Sequence, residues 1–109
     1  MVRLTVIRER GTPVGFELTG PANQGAYGED IVCAGISAIT ETALLGITDV
    51  LKLDAATARE TGLLRCELSR DTAPEDLAKA AIVFDTMIAG LTSLQQAYPK
   101  SLKFSYREV

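Results

Sequence analysis

Apolar residues repeat at every second position early in this chain and at every third or fourth position from about Asp30 onward, so strands must give way to helix there. Val2, Leu4 and Val6 alternate with Arg3, Thr5 and Ile7; beyond a turn at Gly11, Thr12 and Pro13, Val14, Phe16 and Leu18 alternate with Gly15, Glu17 and Thr19. The two runs predict a hairpin. Val32, Ile36, Ile39, Ala43, Ile47 and Val50 then mark one face of a helix ending near Leu51 to Leu53. Asp30 is its expected N-cap, with the carboxylate facing the amide of Cys33. Asp54 to Gly62 follows neither period and reads as a helical turn plus loop. Leu64, Cys66 and Leu68 alternate with Arg65, Glu67 and Ser69 as a third strand. Thr72-Ala73-Pro74-Glu75 combines a capping box with a first-turn proline. It opens a second helix with a stripe of Leu77, Ala80, Phe84, Met87, Leu91, Leu94 and Tyr98, stopped by Pro99. Leu102, Phe104 and Tyr106 form a last alternating run.

The order strand, strand, helix, strand, helix, strand predicts an α+β two-layer sandwich, with two main helices on one face of a four-stranded mixed sheet. Arg3, Thr5, Glu17, Thr19, Arg65, Glu67, Lys103 and Arg107 fall on the other face, which is expected to meet water. A chain of 109 residues suits one domain, 1–109, with its own core. Its net charge of −3 counts against a general nucleic-acid binder, since phosphate binding relies on clustered Lys and Arg. The N-terminus shows no signal segment and no apolar run approaches the roughly 20 residues that span a bilayer, so no membrane partner and a cytoplasmic location are expected. With no histidine, and with cysteines spaced neither as a C-x-x-C pair nor as a ligand cluster, no metal or other cofactor is expected.

Between the second strand and the first helix lies a glycine-rich segment, Gly20 to Gly28, and Cys33 follows it near the expected helix start. A thiol so placed is a candidate nucleophile, because a helix N-terminus favours thiolate over thiol. From position alone the simpler reading is a small buried hydrophobe, as free cysteines commonly are. Cys66, on the inward face of a strand, reads as structural. Gly20, Gly25 and Gly28 can let a peptide or phosphate approach the backbone, although the spacing fits no nucleotide loop and a plain flexible loop is the simpler reading. Tyr27 can stack on a ligand or pin the loop, and Ser37 lies one helical turn beyond Cys33.

Thr19-Gly20-Pro21-Ala22 followed by Tyr27-Gly28-Glu29-Asp30-Ile31-Val32-Cys33-Ala34-Gly35-Ile36-Ser37-Ala38 resembles the signature of the ribosomal-processing cysteine proteases. In that signature Gly-His-Ala precedes Gly-x-Asp-Ile-Val-Cys-Ala-x-x-Ser. The likeness runs along the whole chain, to Tyr98-Pro99 at the end of the second helix. It implies a usually dimeric cytoplasmic bacterial endopeptidase that trims the N-terminal extension of a large-subunit ribosomal protein. By the same likeness Cys33 is the nucleophile, and Gly20, Gly25, Tyr27, Gly28, Asp30 and Ser37 line the substrate path. Pro21 stands where the family carries its histidine base. Proline can neither accept a proton nor donate an amide, and general-base assistance is typically about 10²- to 10⁴-fold. The alternative is a catalytically silent peptide-binding or chaperone module for the same ribosomal protein.

Overall fold

The computed structural model describes residues 1–20 and 27–109, and only the backbone of residues 27–30. The elements are β1 (Val2–Glu9), β2 (Thr12–Thr19), α1 (Tyr27–Leu45) with a π-helical extension (Gly46–Val50), β3 (Ala55–Glu60), β4 (Leu63–Leu68), α2 (Pro74–Ala97) and β5 (Leu102–Glu108). The sheet order is β3-β4-β2-β1-β5. All neighbours are antiparallel except β1 and β5, which run parallel with Val2 opposite Leu102 and Arg8 opposite Glu108. The α+β class, the two helices and the mixed sheet agree with the periodicities, but the sheet has five strands rather than four.

The additional strand is β3, in the stretch read as a helical turn plus loop. Its sequence, Ala-Ala-Thr-Ala-Arg-Glu, carries no large apolar residue. It lies at the sheet edge, paired only with β4, so its ladder bonds rather than an apolar face hold it in place. The first hairpin turns at Arg10 and Gly11, where φ is 52° and 80°. Positive φ at both turn residues matches the twist of the flanking strands. Thr12 and Pro13 therefore belong to β2, and the register shifts beside Pro13, where a residue without an N–H is tolerated.

Leu4, Val6, Phe16, Leu18, Leu64, Cys66, Leu68 and Leu102 bury one face of the sheet against Val32, Ile36, Ala43, Leu44 and Ile47 of the first helix and Ala80, Phe84, Met87 and Leu91 of α2. At the centre Phe16 meets Phe84 edge-on, with ring centroids 6.1 Å apart. Truncating either ring to alanine would cost about 3–5 kcal/mol. The first helix ends where its stripe ends, but Val50 is 77 % exposed: the π-helical turn, closed by the Leu51 N–H donating to the Gly46 carbonyl at 2.9 Å, rotates it away from the core. Tyr98, at the end of the α2 stripe, is 49 % exposed. Nor does α2 open with a capping box. Ala73 is the N-cap, and the Thr72 hydroxyl donates instead to the Ser69 carbonyl. The proline does stand at the helix start.

Ile31–Val50 and Pro74–Ala97 are each long and apolar enough to cross a membrane, contrary to the expectation that no apolar run approaches that length. In this fold their apolar sides pack on the sheet. On the opposite sheet face Arg65 donates to Glu17 at 2.7 Å and to Glu67 at 2.5 Å. That face is a half-exposed lattice of charge.

Candidate active site

At the end of the sheet where β1 begins and β2 stops, a cleft of about 220 Å³ opens between α1 and the β3–β4 hairpin. Val2, Leu18, Ile36 and Leu64 form its apolar floor. Cys33, Ser37 and Glu41 line one wall at intervals of four residues, so they form a single stripe along α1. Arg59 of β3 stands opposite. Its Nε donates to both carboxylate oxygens of Glu41, at 2.9 and 3.1 Å.

Two glycines allow the backbones to close the end of the cleft. The Gly20 N–H donates to the Gly62 carbonyl at 3.2 Å. A Cβ on Gly62, whose φ is +78°, would lie 2.9 Å from the Gly20 carbonyl oxygen, and one on Gly20 would lie 3.0 Å from the Val2 Cα. Any side chain at position 62 would force the hairpin away from β2. Gly62, Glu41 and Arg59 were absent from the residues the sequence pointed to as a binding path. The one signal was the Thr61-Gly62 pair between Glu60 and Leu63, a turn dipeptide whose spatial neighbour only the sheet order reveals.

The two cysteines are unlike. Cys33 is half-buried and lines the cleft. Cys66 is 0 % exposed, and burial pushes its thiol up to about 11 against a small opposing pull from Arg59. Desolvation disfavours its charged form, so Cys66 is the inert core residue its strand position suggested.

Gly20 and Ser37 join Cys33 at the cleft. Pro21 and Gly25 lie outside the described residues, and of Tyr27, Gly28 and Asp30 only the helical backbone is described. That backbone corrects one expectation: α1 begins at Tyr27, so Asp30 is inside the helix and is not its N-cap. Cys33 then sits about 1.7 turns from the helix start. The dipole effect fades within the first turn, so Cys33 gains less from it than expected.

A half-buried cysteine on a helix that walls an apolar-floored cleft leaves a thiol accessible to a chain laid along it, the arrangement that a cysteine peptidase requires of its nucleophile. The family model for cysteine protease Prp matches residues 1–103, and the chain belongs to that family. Ribosomal processing cysteine protease Prp of Bacillus subtilis is 28 % identical over 94 % of this chain and 95 % of its own length. The Staphylococcus aureus protein of the same name is 27 % identical over 93 % of each. Among solved structures, a Streptococcus mutans protein superposes with a TM-score of 0.85 at 27 % identity, covering 100 % of this chain and 96 % of its own. S. aureus Prp in complex with a substrate peptide superposes at 0.82 and 20 % identity, covering 98 % and 100 %, and shares the fold.

Proposed function

We propose that this chain is a cysteine endopeptidase that removes the N-terminal extension of a large-subunit ribosomal protein during ribosome assembly. The observation that carries the reading is Cys33, the cleft-lining thiol of a chain that belongs to the Prp family. The extended peptide would lie along the cleft between α1 and the β3–β4 hairpin, past Gly20 and Ser37, with Gly25, Tyr27, Gly28 and Asp30 bordering its path. The Cys33 thiolate attacks the scissile carbonyl carbon. A carbon–sulfur bond forms, the peptide C–N bond breaks, and the amine leaves with a proton. Water then hydrolyses the thioester and regenerates the thiol. In an α-helix the N–H groups of the first three helical residues are without intrahelical partners, so the helical amides available to the oxyanion are those of Tyr27, Gly28 and Glu29 rather than that of Cys33. With Pro21 in the base position and no histidine in the chain, the thiol proton passes to solvent. A homodimer working in the cytoplasm, where such a substrate is made, completes the proposal.

The test is mass spectrometry of a ribosomal-protein precursor incubated with the chain. Slow trimming by the unmodified protein is expected, with none by Cys33→Ser. Pro21→His should raise the rate by about 10²- to 10⁴-fold, the usual worth of a general base. Trimming that persists in Cys33→Ser would overturn the nucleophile assignment. The absence of histidine favours a second reading, a peptide-binding module without turnover. It is chosen over the first if the unmodified chain binds the precursor segment, never cleaves it, and gains cleavage with Pro21→His.

A further inference from the structure

We infer that Arg59, held in place by Glu41, is a specificity-determining residue that selects an acidic peptide side chain three or four residues from the scissile bond; this rests on the cleft being the peptide path. Glu41 is eight residues beyond Cys33 on the same helical stripe, a separation of about 12 Å at the helical rise. An extended peptide advances about 3.3 Å per residue, so three or four residues span that distance. Such a separation rules Glu41 out as a proton acceptor for Cys33 and places it, with Arg59, at the far end of the cleft.

The charge on offer there follows from the strand register. Arg59 is opposite Leu64, whose side chain is in the core, so Arg59 projects from the helix-bearing face. Glu60 also borders the cleft, but it is opposite Leu63 and one residue on from Arg59, so its side chain alternates toward the other face. Glu41 occupies only the Nε of Arg59. The two Nη groups make no hydrogen bond among the described residues, and the Arg59 side chain is 51 % exposed. The Glu41 carboxylate offsets the charge of this guanidinium, so what remains on offer is the pair of Nη donors, which in this fork arrangement match a carboxylate and find no acceptor on a Lys or Arg. Glu41 fixes the guanidinium in the cleft and so positions it.

The experiment is fluorescence anisotropy with Cys33→Ser, which separates binding from turnover. The probe is a fluorescein-labelled 12-residue peptide spanning the extension–mature junction of the ribosomal protein. Glu, Ala or Lys is placed in turn at the third and fourth positions on each side of the junction. At one of these positions Glu should bind more tightly than Lys by roughly two- to fivefold, the scale of a half-exposed ion pair. Arg59→Gln should abolish that preference, and the exchange Arg59→Glu with Glu41→Arg, which keeps the strut between β3 and α1, should weaken or reverse it. Peptides that bind with the same preference order in all three proteins would overturn the Arg59 assignment and leave the cleft reading intact. Failure of every peptide to bind the unsubstituted cleft would overturn both.

Discussion

The strongest contrast between single residues in this protein is between its two thiols. Cys66 pairs in register with Phe16 and Thr57 and is kept neutral by burial, whereas Cys33 opens on the cleft. Iodoacetamide at pH 8 should therefore label Cys33 and leave Cys66 unmodified until the protein unfolds, as peptide mapping would show. The same burial makes stability depend on pH. The Cys66 thiol is raised from 9.0 to about 11, so the fold favours its neutral form. This contribution is complete below about pH 9 and is lost as pH rises toward about 11. Melting temperatures measured from pH 7 to 11 should fall more steeply for the native protein than for Cys66→Ala.

Among the elements, β2 and β4 approach so closely that only glycine fits at position 15. A Cβ there would lie 2.6 Å from the Cys66 carbonyl oxygen and 2.9 Å from the Glu67 Cα, both backbone atoms that cannot swing aside. Gly15→Ala should destabilise the fold by about 1–3 kcal/mol, the usual range for overpacking, as urea unfolding would measure. Elements with a strong apolar period were legible in the sequence: β1, β2 and β4 bury the stripes that announced them, both helices bury theirs except at the ends, Val50 and Tyr98, and β5 buries only Leu102 of its run. The strand β3 was not, because an edge strand held by its ladder needs no apolar alternation, and Ala-Ala-Thr-Ala supplies none. For the same reason half of the cleft was hidden. Cys33, Ser37 and Gly20 are close to a recognisable motif, while Arg59 and Gly62 belong to the hairpin that the missing strand builds. The start of α1 was placed late because Asp30 is a good cap in isolation, and nothing apolar marks the turn before it.

At the scale of the molecule, β1 is an interior strand only because β5 covers its second edge. Val2 to Arg8 pair with Leu102 to Glu108, and the Gln95 side chain donates to the Leu102 carbonyl at 2.9 Å. The Arg8 guanidinium lies 4.0 Å from the centroid of the Tyr106 ring, tying the two strands at their far ends. Removal of residues 102–109 would expose a long β1 edge and take the buried Leu102 from the core. That truncation is expected to abolish the cooperative thermal transition and to yield aggregates in light scattering. The parallel pair also imposes a schedule. Roughly 90 residues must be translated between β1 and β5, about 5–20 s at ordinary elongation rates. Val2 belongs both to this pair and to the cleft floor. A nascent chain therefore carries its cysteine long before the strand that steadies the floor of the groove has been made.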